Sequence, residues 1–320
     1  MLCLHRFRIS NRFPTTGLTT TILSTTVALA LALTACSTIT NNSTAATVNG
    51  VEISRATLEK FVNELSAAGQ LEVADGVALG DDVRSILTAI IKSKNYVEFL
   101  KSVDFTITDE MRKVVEKSID DPAVKLMSKE LKAAIIDLNT ATQAIQTMKS
   151  PSEQVIADLY NESPSLTGVM CISHIITKNK DTAVDVLNNL NNGADFATLA
   201  GKYSIEPNAK QSGGALRGSL ETGETTPCMT LLDYQAGFDP LFTAGAIEAK
   251  AGVPFGPVES SFGFHVILAQ PFDAVKESVL NSIAASPGLL LATGHVAHAK
   301  ITVDPAYGRW STATGTIVAS

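Results

Sequence analysis

The sequence predicts an α+β protein in which a compact α+β domain is inserted into a mainly helical frame. Three observations carry that expectation. Residues 47–165 repeat apolar side chains at helical spacing. Two apolar, β-branched runs, 169–177 and 262–268, bracket helical segments within residues 166–273. The segments in 274–320 are too short to bury an apolar side alone, so they return to the frame and complete it.

In chain order, Thr47-Val48 and Val51-Glu52-Ile53 alternate as strand around Asn49-Gly50, a strong turn signal. Ser54 can cap a helix with Leu58, Phe61, Val62 and Leu65 on one face. Val83, Ile86, Leu87, Ile90 and Ile91 form a second stripe. Thr108 caps a third helix, with Met111, Val114 and Val115 apolar; Leu126, Leu131, Ile135 and Ile136 mark a fourth. Ser150-Pro151-Ser152-Glu153 opens a short helix through Tyr160, with Pro151 at the first helical position and Glu153 at a capping-box site. The texture changes at Gly168, where 169–177 reads as one strand. Asp181 can cap a helix with Val184, Leu187 and Leu190 on one side, and Asp195 another with Phe196, Leu199 and Ala200. A Gly-rich stretch, 213–218, precedes the closing strand at 262–268. Residues 274–283 read as a short helix and 298–303 as a strand that pairs with 48–53.

The chain has 320 residues, with 25 Lys and Arg against 32 Asp and Glu, a formal charge of −7. Arg6, Arg8 and Arg12 precede an apolar stretch, 18–33, and no acidic residue occurs before Cys36. That stretch is too short to span a bilayer comfortably and ends at small residues, the secretory pattern. Leu33-Thr34-Ala35-Cys36 resembles a bacterial lipobox. Residues 1–36 are therefore expected to be a lipoprotein signal peptide with the lipid on Cys36, and 37–46 a flexible tether. The expected product is an exported lipoprotein held by its anchor on the extracytoplasmic face of a bacterial envelope. Losing three arginines takes the charge to about −10, which argues against nucleic acid as a partner. Cys171 and Cys228 remain in a compartment that permits disulfides. They can pair, or stay as two buried thiols; spacing alone leaves both open.

Ile172-Ser173-His174-Ile175-Ile176, Gly193-Ala194-Asp195-Phe196-Ala197-Thr198-Leu199-Ala200 with Tyr203-Ser204, Gly213-Gly214-Ala215-Leu216, Gly256-Pro257-Val258 and Phe262-Gly263-Phe264-His265-Val266-Ile267 occur in this order. Together they resemble the parvulin (PpiC, rotamase) type of peptidyl-prolyl cis-trans isomerase over about a third of the chain. The flanks resemble the helical chaperone module of SurA-like and PrsA-like foldases, and the tail Val303-Asp304-Pro305-Ala306-Tyr307-Gly308-Arg309-Trp310 resembles the end of actinobacterial lipoproteins of this group. The resemblance implies a parvulin-like antiparallel sheet with surrounding helices, set in a SurA-like helical domain. It implies an isomerase that helps exported polypeptides containing X-Pro bonds to fold.

The chemistry requires little equipment. Rotation about the peptide C–N bond faces a barrier of ~18–20 kcal/mol, and a catalyst need only bind the twisted amide better than either planar form. An apolar cup for the proline ring and polar groups for the amide suffice, and no metal, nucleophile or cofactor is called for. By resemblance, His174 and His265 are the two central histidines, bonded to each other as the polar floor, and Glu206 stands beside the substrate amide, where the family has Asp or Cys. Leu216, Phe238 and Phe242 form the proline pocket, the two phenylalanines four apart on a short helical segment. Each of these has an ordinary alternative: a hydrogen-bonded core histidine, a packed core phenylalanine, a solvated loop glutamate. Ala215 stands for the motif Asp, Arg217 intrudes before Gly218, Phe262 replaces a small or polar residue and 219–237 is long. These departures leave open a second reading, a non-catalytic holdase. His295 and His298, three apart on the expected strand, point to opposite faces and do not make a metal site.

Overall fold

A computed structural model describes residues 43–74, 77–219 and 225–320. The arginine-rich leader, Cys36 and most of the expected tether lie outside the described residues. β1 (Thr44–Val48) and β2 (Val51–Ser54) pair antiparallel with Val48 opposite Val51, so Asn49-Gly50 is the whole turn. Both turn residues take positive φ, 47° and 84°, which Asn and Gly tolerate best. The tether expected through residue 46 stops short of Thr44. Ala45 and Ala46 are buried, and covering them outweighs the polar composition of the segment.

The helices of the frame follow: α1 (Arg55–Ala67), a small hairpin of β3 (Val73–Ala74) and β4 (Val77–Ala78), then α2 (Gly80–Ser102), α3 (Asp109–Ser118), α4 (Pro122–Leu126), α5 (Lys129–Gln146) and α6 (Glu153–Glu162). Ser54, Thr108, Ser128 and Ser152 cap α1, α3, α5 and α6, each accepting the backbone N–H three residues on. At α6 this corrects the expected start: Ser152 is the cap, Glu153 is the first helical residue, and Pro151 lies outside the helix.

After a 3-10 turn (Pro164–Thr167), the expected single strand splits at Cys171 into β5 (Val169–Met170) and β6 (Ile172–Thr177). Then come α7 (Lys180–Asn191), α8 (Phe196–Tyr203), α9 (Ala209–Ser212), β7 (Gly218–Ser219), β8 (Thr225–Thr226), β9 (Met229–Thr230), α10 (Leu231–Gly237), α11 (Pro240–Glu248), β10 (Pro254–Ser260) and β11 (Gly263–Ala269). Asp195 caps α8 as expected, whereas α7 starts one residue before Asp181, with Asn179 at its cap. β10, β11 and β6 form an antiparallel sheet in that order, and β5 pairs with β9 instead. One face of the sheet sets Ile175 and Val266 against Val186, Leu190 and Leu199 of α7 and α8. The other sets Ile172 and Ile267 against Leu231, Tyr234, Phe242 and Ile247 of α10 and α11.

The tail departs most from expectation. α12 (Phe272–Ala285) is followed by a second helix, α13 (Pro287–His298), before β12 (Ile301–Val303) and a last hairpin of β13 (Arg309–Ser311) and β14 (Thr316–Val318). His298 therefore ends a helix, and the strand starts at Ile301. β12 pairs with β1, Val48 opposite Ile301, and lies beside the first hairpin on the β1 side rather than along β2. Asn49 fastens it: its Oδ1 accepts from Lys300 N at 2.7 Å and its Nδ2 donates to Glu98 of α2 at 2.6 Å. On α13, His295 and His298 are one turn apart and near one face, not on opposite faces. The His295 ring lies 5.7 Å from Phe99, and His298 Nε2 is 2.8 Å from Ser165 Oγ. Among the described residues no cluster of metal-ligating side chains forms.

One core cluster crosses the boundaries expected at 165/166 and 273/274. Ile156 and Tyr160 of α6 pack with Phe272, Val275, Val279 and Ile283 of α12 around Val169, Cys171 and Cys228. Both helices therefore pack against the start of the inserted domain, and α6 also reaches the frame through Leu159, beside Phe99, Leu100 and Ile145.

Candidate active site

Two strands set the geometry. In the β11–β6 register His265 lies opposite Ile176 and Ile267 opposite His174. The two histidines are thus diagonal neighbours on one face, within reach of each other. Their Nδ1 atoms are 3.1 Å apart, and the rings are stacked at 16° with centroids 5.3 Å apart. The outer edge of β6 is closed by the Gly-rich segment: His174 N donates to Gly214 O at 2.8 Å and Leu216 N to Ile172 O at 2.9 Å.

Phe242 lies over both imidazoles, 5.4 Å from His174 and 4.8 Å from His265 between centroids. Phe238 stacks on Phe242 at 5.7 Å, and Leu216 packs against the same cluster. The expectation of one helical segment for both phenylalanines is corrected: Phe238 terminates α10 and Phe242 belongs to α11, with Asp239-Pro240 breaking the helix between them. Phe242 is buried, while Phe238 and Leu216 are half-buried, so the cup has an accessible wall.

Glu206 Oε2 is 2.9 Å from His174 Nε2, and its side chain is 43% exposed. The bond from His174 is the largest of the effects that hold its carboxyl below the usual range. A carboxylate only accepts, so His174 donates to it from Nε2. One proton is shared between the two Nδ1 atoms, and His265 Nε2 meets Ser260 Oγ at 2.7 Å. Ser260 Oγ also accepts from Phe262 N at 3.1 Å. The result is a continuous chain of hydrogen bonds from Glu206 through both imidazoles to Ser260. Burial, reinforced by the neighbouring His174, pushes the His265 imidazole down to about 4, so His265 is neutral near pH 7.

Ser260 and Asp239 were not singled out from sequence. Ser260 pairs with Gly263 while Val258 pairs with His265, so a reading of the hairpin register would have put Ser260 diagonal to that histidine. Asp239 caps α11 through Leu241 N and Phe242 N and accepts from Ser261 N and Oγ, tying the β10–β11 turn to the helix that carries Phe242. Cys171 and Cys228 are joined by a disulfide between the residue before β6 and the residue before β9.

Residues 173–271 match the family model for the PPIC-type PPIase domain. The chain carries a PPIC-type, parvulin-like domain. It is similar to Foldase protein PrsA 3 of Bacillus anthracis, 32% identical over 120 residues that cover 36% of this chain and 38% of that protein. It is also similar to Foldase protein PrsA of Clostridium botulinum, 28% identical over 194 residues covering 58% of this chain and 50% of the other. The chain thus spans half or less of the length of these two relatives. The crystal structure of PrsA from Bacillus subtilis aligns over 79% of this chain and 90% of that one, at 18% identity and a TM-score of 0.28.

Proposed function

We propose that this protein is a peptidyl-prolyl cis-trans isomerase that assists the folding of exported polypeptides, anchored at the extracytoplasmic membrane face by lipid on Cys36. The carrying observation is the Phe242 ring set against a hydrogen-bonded pair of imidazoles. A proline ring in the cup of Leu216, Phe238 and Phe242 brings its amide against that polar floor. Exclusion of water there strengthens whatever contact the floor makes with the rotated carbonyl or nitrogen. The floor is fixed in advance by the chain from Ser260 to Glu206, so it costs no reorganisation when the amide twists. His174 and His265 act by position and polarity, with no net proton transfer.

A protease-coupled assay on proline peptides tests this with purified protein. Catalysis is expected to fall about tenfold or more in His265→Ala and in Phe242→Ala, the loss of one well-made contact to the rotating amide. Wild-type turnover no faster than the uncatalysed rate removes the enzyme reading.

A holdase reading has an observation of its own. The frame contains a groove of about 750 Å³ lined by Ile53, Phe61, Leu65, Ile86, Ile90, Leu131 and Ile135, with Lys94, Glu98 and Asp137 also in its walls. An apolar trough of that size suits an extended, unfolded segment. Suppressed aggregation of an unfolded client without isomerisation would leave this reading alone.

A further inference from the structure

The β10–β11 turn consists of two residues, Ser261 and Phe262, between the paired Ser260 and Gly263. Turn positions favour Gly, Asn, Asp and Ser, and nothing in the hairpin asks for an aromatic ring. Yet Phe262 is 69% exposed, the most exposed aromatic side chain among the described residues. Single apolar residues on a surface are ordinary and need no account. This one differs in being held in place beside the candidate active site.

Two ties hold it. Its own N–H donates to Ser260 Oγ, the hydroxyl that bonds His265. Its neighbour Ser261 is bound through N at 3.2 Å and Oγ at 2.7 Å to Asp239. The same carboxylate caps α11, so one side chain joins the turn bearing Phe262 to the helix start bearing Leu241 and Phe242. Leu241 is 60% exposed and Phe242 forms the cup. The rim on this flank is therefore apolar and fixed, with its one carboxylate occupied. The His174 side carries the Glu206 carboxylate instead, 43% exposed.

A chain with proline in the cup places its neighbouring Cα atoms about 3.8 Å away on either side, which brings an adjoining side chain within reach of this rim. We propose that the Phe262 ring is a specificity element, receiving the client side chain adjoining the proline and selecting a bulky apolar one, aromatic above aliphatic. The inference rests on the isomerase-site reading for the placement of proline and adds what flanks it. A rigid aromatic anchor loses little conformational freedom on contact, which suits a chain arriving unfolded. A Glu next to proline meets an apolar ring on this flank and the Glu206 charge on the other.

The test measures Kd by NMR titration and kcat/KM by the coupled assay for a peptide panel. Phe, Leu, Ala or Glu is placed in turn before and after a single proline, with wild type, Phe262→Ser and, as a distant control on β10, Phe255→Ser. Wild type is expected to favour Phe over Ala by about fivefold to tenfold at one of the two positions, the scale of one aromatic pair. The preference should lie in Kd and KM rather than kcat, fall to about one in Phe262→Ser, and persist in Phe255→Ser. Equal affinity for all peptides in wild type, or a preference that survives Phe262→Ser, overturns the inference and leaves the isomerase reading intact. A Phe262-dependent preference in Kd without isomerisation does the reverse. Failure of every peptide to bind overturns both.

Discussion

Glu206 fixes one end of the hydrogen-bond chain across the site, because a carboxylate accepts and never donates. At the other end of that chain His265 is buried neutral, and this has a measurable cost in acid. Its folded value near 4 lies below the ordinary imidazole value of 6.5. The stabilisation that comes from burying it neutral is complete above about pH 6.5 and is lost as pH falls towards 4, because the unfolded chain binds the proton first. The loss amounts to as much as about 3 kcal/mol. His295 and His298 are shifted downwards too, chiefly by burial, so wild type alone cannot assign the effect. Urea unfolding at pH 7 and pH 4.5 is therefore compared between wild type and His265→Gln. The variant should lose distinctly less stability on acidification, and an identical loss would mean that His265 is not buried neutral. At this scale the motif residues were legible: His174, His265, Glu206 and Phe242 meet. Ser260 was hidden because its role depends on hairpin register rather than on its neighbours in sequence.

Among the elements, β6 shows how much can be asked of six residues. All of them are buried, Ile175 towards α7 and α8 and Ile172 with His174 towards α11. Both of its edges are paired, one to β11 and the other to the segment through Gly214 and Leu216. That second pairing depends on Gly214. Its φ is +79°, and a Cβ there would sit 2.4 Å from His174 O, a backbone atom that cannot yield. Gly193, at φ +89°, has nothing within 4 Å of its Cβ position. The pair separates backbone strain from collision. Gly193→Ala should cost about 1–2 kcal/mol and leave turnover alone. Gly214→Ala should cost clearly more and lower kcat/KM besides, through displacement of His174. Equal costs in chemical denaturation, with activity unchanged in both, would show that the edge is pliant. Element types in the frame were readable because caps and stripes agree there, as at Ser54 and Leu58. α13 was not. It is apolar on every side and contains Gly288 and Gly294, which look like breakers. Both serve close approach instead: a Cβ at Gly288 would lie 2.0 Å from Ile145 O and one at Gly294 2.2 Å from Leu166 O.

For the whole molecule, the decisive feature is that the chain leaves the frame, builds the parvulin-like domain and comes back. The return was foreseeable, since a lone strand at 301–303 can bury nothing, and it is realised as the β12–β1 pairing. Where the two parts divide was not foreseeable, because α6 and α12 look like frame helices in sequence yet share a core with Val169 and the Cys171–Cys228 bridge. This makes the boundary testable. A fragment of residues 166–273 loses α6 and nearly all of α12, and with them the cover over Cys171 and Val169. A fragment of 152–285 keeps Ile156, Tyr160, Val275, Val279 and Ile283, and with them the bond from the Tyr160 hydroxyl to Gln270 O. Each fully buried large side chain is worth about 1.5–3 kcal/mol at most. The longer fragment should therefore be the more stable by several kcal/mol, with sharp urea unfolding and the isomerase activity of the full chain, while the shorter one unfolds broadly. Cooperative unfolding of 166–273 at the same urea midpoint would instead show that α6 and α12 serve the frame, and that the inserted domain is self-sufficient.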